Sequence, residues 1–294
     1  MIFDRYKWVL VAIGMGYAGA IVAATPIFIP ERGAVIPDTW ETAPIAGVFQ
    51  NPAQIASGLT RSVVRVDGSH DGMGYSQATV AMRTNWDELS LGLGVSTYGS
   101  SDLVRTARNS ETSRIEESGT FGDQMQQISV VIASELEPGL RVGVNIDAIS
   151  KTIDTTTGAQ LGIGIGGQVC VADQWWISGY WRRAFQSPLK WGKYTEESSG
   201  GLPTIGVEYR PAFATVMGYL GENGFRLVGE LPISLELSVT GAVAMGATQR
   251  YSVGTILKLG DYAVQYVHTA YPDATLDVSQ DMIGVAININ DGTK

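Results

Sequence analysis

The segment Gly139-Leu-Arg-Val-Gly-Val-Asn-Ile-Asp-Ala-Ile149 restricts the fold more than any other stretch of the chain. From Arg141 to Ile149 the odd positions are Arg141, Gly143, Asn145, Asp147 and Ile149, and the even ones are Val142, Val144, Ile146 and Ala148. Side chains on a strand alternate faces with a period of two. One face is therefore apolar throughout, while the other carries a cation, an amide and a carboxylate. A single such strand suits many sheets, but its repetition narrows the choice.

Alternation recurs in about fourteen segments. Near 61–67, Arg61, Val63, Arg65 and Asp67 oppose Ser62, Val64 and Val66. Over 75–84, Gln77, Thr79, Ala81 and Arg83 oppose Ala78, Val80 and Met82. Further strands are predicted at 88–98, 124–136, 139–149, 159–168 and 173–186, the last Trp-rich and less regular. The remainder fall at 204–210, 214–221, 225–231, 235–245, 250–258, 261–269 and 281–290. Segments 214–221 and 225–231 are weak, which leaves twelve strands as the alternative count. The polar faces hold Gly, Ser, Gln and charges of both signs. This pattern predicts an all-β, transmembrane antiparallel β-barrel, apolar toward lipid and polar toward its lumen. Closure follows because hydrocarbon offers no partner to a sheet edge.

The connections give an independent test. With the N-terminus in the periplasm, the predicted periplasmic connections are 84–87, 137–139, 169–172, 211–214, 232–234 and 259–260, all short. Those on the other side include 99–123, 151–158, 187–203 and 271–280, longer and polar, with the short turns Asn223-Gly224 and 246–249 as exceptions. Short periplasmic turns and longer external loops are the barrel rule. Trp86, Tyr98, Trp175, Trp176, Trp191, Tyr262 and Tyr266 lie near strand ends, where the water–lipid boundary favours Tyr and Trp.

The organisation read from this pattern is a secretory signal at 1–24, an arm at 25–58, the barrel at 59–290 and a tail at 291–294. Arg5 and Lys7 precede an apolar core from Trp8 to Val22, and Val22-Ala23-Ala24 offers a cleavage site. No later apolar run reaches about 18 residues, which excludes a multi-helix membrane protein. A net charge of -9 argues against nucleic acid as a partner. Cys170 stands alone, so no intrachain disulfide forms.

Reaction chemistry is sparse. The two histidines, His70 and His268, fall in a turn-like segment (Asp67-Gly-Ser-His-Asp-Gly72) and at a strand end. Cys-x-x-Cys, His-Glu-x-x-His and phosphate-cradling loops do not occur, and Gly162-Ile-Gly-Ile-Gly-Gly167 has the wrong spacing for a dinucleotide site. Those glycines read instead as lumen positions that make room for a plug. No catalytic residue, metal or cofactor is expected. Ten charged positions are predicted on the polar face: Arg65, Arg83, Arg141, Asp147, Glu208, Arg210, Arg226, Glu230, Glu236 and Lys258. They either hold the arm in a blocked lumen or satisfy one another as buried charge; the pattern is the same for both.

With its signal segment, an arm ending in Asn51-Pro52-Ala53, the strand count and the stretch Gly179-Tyr-Trp-Arg-Arg-Ala-Phe-Gln-Ser-Pro-Leu-Lys-Trp-Gly192, the chain resembles FadL-type outer-membrane transporters of hydrophobic compounds and the related PorV-type barrels. The resemblance implies fourteen strands and an N-terminal segment folded into the lumen, with Asn51, Pro52 and Ala53 at the gate. In FadL-type members an apolar ligand leaves sideways through a kinked strand; in PorV-type members the barrel holds or shuttles a secreted protein. The expected role is passive uptake of small, fatty-acid-like hydrophobic molecules across the outer membrane of a Gram-negative-type bacterium. The alternative is a surface attachment or assembly barrel that binds a protein partner through Gly99–Asp123 and Ser187–Pro203. Membrane lipid is a partner in both, and neither is an enzyme.

Overall fold

The computed structural model describes residues 48–56, 62–71, 74–108, 115–192, 194–196, 201, 203–211, 213–221, 224–246, 249–272 and 278–289. The expected signal segment, the arm before residue 48 and the tail at 291–294 lie outside the described residues.

Among the described residues, sixteen strands follow a short 3-10 turn at Pro52–Ala56. They are β1 (Ser62–Asp71), β2 (Ser76–Trp86), β3 (Leu89–Arg108), β4 (Ile115–Glu137), β5 (Leu140–Ile153), β6 (Thr156–Ala172), β7 (Trp175–Gln186) and β8 (Leu189–Trp191). After these come β9 (Tyr194–Glu196), β10 (Thr204–Tyr209), β11 (Thr215–Gly221), β12 (Gly224–Pro232), β13 (Leu237–Met245), β14 (Arg250–Leu259), β15 (Tyr262–Tyr271) and β16 (Val278–Ile289). Every pairing is antiparallel. Neighbours in sequence pair in turn, β7 pairs β10, and β1 pairs β16 from Ser62 opposite Ile289 to Asp71 opposite Gln280. That last ladder closes the ring. The small β8–β9 hairpin hangs on the outer end of β6 and stays outside it, so fourteen strands form the barrel. Both weak segments, now β11 and β12, are wall strands.

The alternation becomes two surfaces. On β5, Arg141, Gly143, Asn145, Asp147 and Ile149 are buried, whereas Val142, Val144, Ile146 and Ala148 face outward. Exposed apolar side chains continue around the ring on β2 (Val80, Met82), β12 (Leu227), β14 (Val253) and β16 (Ile283). Such a belt is the lipid contact of a transmembrane barrel. Buried polar side chains such as Arg65, Ser129, Gln168, Glu208 and Thr240 form the inner surface. Outward Trp86, Trp175 and Tyr262 lie near the strand ends that carry the short turns, and Trp175 stacks on Tyr209 with ring centroids 4.5 Å apart.

The connections β2–β3, β4–β5, β6–β7, β10–β11, β12–β13 and β14–β15 are all short and lie at one end. At the β4–β5 and β14–β15 turns, Gly139 and Gly260 have φ of 84° and 66°, where glycine alone carries no Cβ penalty. By the barrel rule this end is periplasmic. The external side differs from the sequence expectation in two places. The stretch expected as a loop at 99–123 is mostly strand, because β3 runs to Arg108 and β4 starts at Ile115. Likewise 151–158 closes in a tight turn around Asp154, whose φ is 56°. The cause is physical: a ladder that has left the hydrocarbon no longer needs an apolar face, so pairing continues while alternation stops. Asp154 then accepts a hydrogen bond from Arg105 at 2.7 Å, tying the tall β3–β4 hairpin to the β5–β6 turn.

If the outward face is the lipid face, Ile146→Arg at mid-strand on β5 lowers the unfolding free energy in lipid vesicles by about 2–4 kcal/mol. An effect below about 1 kcal/mol in a denaturant titration would place that face in water.

Candidate functional site: the lumen floor and the break in β7

The segment 48–56 lies within the ring, against the inner faces of β3, β4, β5 and β6. Its local conformation follows from sequence. Asn51 accepts a hydrogen bond from the Ala53 amide through Oδ1 at 3.1 Å, and its carbonyl accepts one from the Gln54 amide at 3.0 Å. Pro52 occupies the first position of the turn, where a missing N–H costs nothing. Asn51 Nδ2 also donates to the Gly167 carbonyl at 3.4 Å. Asn51, Pro52 and Ala53 are thus all buried against the barrel wall.

Glycines in the wall make the seat. A Cβ on Gly143 would lie 2.5 Å from the Pro52 carbonyl carbon, one on Gly166 2.9 Å from Pro52 Cδ, and one on Gly92 2.9 Å from Val48 Cγ2. Val48 and Ile55 are fully buried with Val131 and Ala133 of β4, each side chain contributing roughly 1.5–3 kcal/mol. Phe49 packs against that cluster and also against Val63, Ala81, Ile256, Ala263 and Ala286 of β1, β2, β14, β15 and β16. The segment therefore reaches across the lumen from one wall to another, in the half nearer the short turns. Arg83, with no exposed surface, donates from Nε to the Ile55 carbonyl at 2.7 Å and from Nη2 to Asn85 Oδ1 at 3.0 Å. A buried guanidinium thus caps the end of the turn, where the backbone dipoles are negative.

The other lumen charges form three further groups. Arg65 pairs with Asp67 at 2.8 Å and donates to Gln265 Oε1 at 2.7 Å. Arg141 pairs with Glu135 at 3.3 Å, donates to Gln168 Oε1 at 3.2 Å and lies 4.4 Å from the Trp176 ring centroid. Gln168 in turn donates to Glu208, which also pairs with Arg210 and accepts from the Tyr219 hydroxyl at 3.2 Å. Asp147 accepts from Ser129 at 2.6 Å and faces Arg182 Nε at 3.5 Å. Glu230 is buried, and Arg226 and Lys258 are half-buried. Glu236 departs from the sequence expectation. It is exposed in the connection between β12 and β13, where its carboxylate accepts from Ser234, because β13 begins only at Leu237. Glu135, Gln168, Trp176, Arg182, Tyr219 and Gln265 were not among the expected lumen set. Glu135 and Gln168 keep the inner parity of their strands and were readable by it. Arg182 was not, because its strand breaks period two.

That break is local. Ile163 pairs with Phe185 and Ile165 with Trp181, so Gly164 of β6 faces three residues of β7, Arg182 to Ala184. The Arg182 carbonyl and Asn145 Oδ1 both occupy the space where a Cβ of Gly164 would stand. On its other side β7 pairs with β10 only from Trp175 to Tyr180. Among the described residues, Trp181 to Gln186 has no ladder partner there. Among the described residues the β7–β10 ladder is therefore interrupted here, on the external half, above the segment 48–56. Gly166 makes room for that segment, while Gly164 serves the β7 bulge.

No protein-family model matches the sequence, and no curated protein matches it either. Solved structures do match in fold. The toluene transporter TodX of Pseudomonas putida superimposes with a TM-score of 0.59 at 8% identity, over 83% of this chain and 92% of that one. A FadL homologue of Pseudomonas aeruginosa gives 0.56 at 7% identity over 88% and 95%. CymD, described as a monoaromatic hydrocarbon channel, gives 0.55 at 9% identity over 87% and 93%. The chain therefore has the fold of FadL-type outer-membrane barrels.

A side chain at the seat should dislodge the segment. Gly143→Val is expected to raise single-channel conductance in planar bilayers while the barrel keeps its heat-modifiable mobility on a gel. Gly68→Ala on the outer face, where a Cβ meets nothing within 4 Å, is the control and should leave conductance unchanged.

Proposed function

We propose that the chain is a FadL-like outer-membrane channel for passive uptake of small hydrophobic molecules. The observation that carries this reading is the bulge in β7, where the described ladder to β10 stops, placed above a lumen crossed by the segment 48–56. A molecule entering from outside meets that floor, and the bulge at Arg182–Ala184 offers a way sideways into the bilayer. An apolar solute has no reason to continue into water when hydrocarbon is available at the wall. The neighbouring structures described as a toluene transporter and a monoaromatic hydrocarbon channel support the same class of cargo. In this reading residues 25–58 act as the plug, Asn51, Pro52 and Ala53 form the gate, and the paired lumen charges hold the wall around it.

The attachment reading would place a protein partner on 99–123 and 187–203. The first is now a paired hairpin and the second carries β8 and β9, and no further observation favours a docked protein over a cargo molecule.

The test is uptake of labelled toluene and labelled long-chain fatty acid by cells whose own hydrophobic-compound channels are deleted. Expression of this chain is expected to raise uptake of at least one of them several-fold. Deleting Arg182 and Arg183 together, with Asp147→Asn to remove the carboxylate that Arg182 faces, leaves one residue opposite Gly164 and preserves the face parity of β7. This variant is expected to insert normally and return uptake to background. Uptake that survives the deletion rejects the lateral route, and background uptake by the intact chain rejects the channel.

A further inference from the structure

The chain has two histidines, and closure of the barrel brings both to one carboxylate. Asp281 of β16 is the register partner of His70 on β1 and also of His268 on β15. Residues directly opposed on neighbouring strands point to the same face, with Cβ atoms about 4.5–5.5 Å apart. His268, Asp281 and His70 therefore form a row across three adjacent strands. The row lies on the outer surface, above outward-facing Ile283, Val285, Ile287 and Ile289 of β16, toward the external end.

The contacts already centre on Asp281. His268 Nδ1 lies 2.9 Å from Asp281 Oδ1, and the same oxygen accepts from the Tyr266 hydroxyl at 2.7 Å. His268 and Asp281 are 41% and 57% exposed, so both keep surface that no described residue covers. His70 is exposed as well, and its Nδ1 lies 3.2 Å from Ser76 Oγ on the β2 side. In this conformation three ligands do not converge. A different staggered rotamer at His70 would turn the ring from β2 toward β16, giving up, among the described residues, an exposed serine hydroxyl.

Two imidazoles and a carboxylate with an open side are the ligand set of zinc, and they also suit copper(II). The phenol of Tyr266 stands beside that set as a hydrogen-bond donor to the carboxylate, the kind of partner that orients a ligating group. We propose that His70, Asp281 and His268 form a transition-metal site for zinc or copper(II) on the outer surface of the seam where the first and last strands meet. A bound ion would link β15, β16 and β1, joining the two ends of the barrel at its external rim.

Because no other histidine exists in the chain, the imidazole nitrogens around copper(II) can be counted by electron paramagnetic resonance on untagged, metal-free protein in detergent. One copper per chain with two imidazole nitrogens is expected. His70→Ala and His268→Ala should each leave one nitrogen and weaken zinc binding at least tenfold by calorimetry. Zinc should also raise the thermal midpoint of the wild type and not that of Asp281→Asn. These exposed substitutions leave the ladder hydrogen bonds in place, and heat-modifiable mobility checks that each variant folds. Copper bound through one imidazole or none in the wild type, or zinc bound as tightly by His70→Ala, overturns the site.

Discussion

The pairing of β1 with β16 is the contact on which the other surfaces depend. Inside hydrocarbon each unpaired backbone N–H or C=O costs several kcal/mol, so an open edge cannot persist there. The ladder from Ser62–Ile289 to Asp71–Gln280 pairs the free edges of the first and last strands. Its register also fixes orientation. A slip of one residue on β1 would turn Val64 and Val66 inward and Arg65 and Asp67 into lipid. The present register instead puts Arg65 against Asp67 and Gln265 inside and leaves the valines outside. Closure and lumen polarity are thus one constraint.

A closed ring has a small interior, and the inward residues must share it. The wall answers with glycine where backbone comes close and with paired charges where it does not. Gly92, Gly143 and Gly166 admit the segment 48–56; Arg65, Arg141, Arg182 and Arg210 each face a carboxylate. A charge left unpaired in such a place would be strongly destabilising, which is why both signs occur on the same faces. Arg83 donates to the carbonyl of Ile55, whereas Arg65, Arg141, Asp147, Glu208 and Arg210 each take part in an ion pair.

Legibility in the sequence followed the membrane. Wherever lipid demands an apolar face, period two appeared and the strand was placed within a few residues, as for β5 and β14. Above the bilayer that demand ends, so the upper parts of β3 and β4 read as a polar loop although they remain paired. Lateral neighbours were visible only where a hairpin joined them. Nothing in the local pattern tells that His70 and His268 share Asp281, because that depends on ring closure between distant strands. The β7 bulge left a weak trace, an irregular alternation in a Trp-rich segment, whose cause lies in Gly164 on the neighbouring strand. Glu236 shows the opposite failure: inner-face parity was continued one residue past the end of the ladder.

The glycine run of β6 joins the two halves of the site. Gly166 takes Asn51 and Pro52, and Gly164 takes the carbonyl of Arg182. They are two residues apart on one face, roughly 7 Å along the strand. Asn145, opposite Gly164, sits directly above Gly143, whose missing side chain admits Pro52. The floor of the lumen and the break in its wall therefore rest on the same short stretch of β5 and β6. A displaced floor would free the space beside Asn145, and a straightened β7 would withdraw the Arg182 carbonyl from it. The seat of the segment 48–56 and the β7 bulge are built from adjacent residues, so neither rearranges without changing the room available to the other.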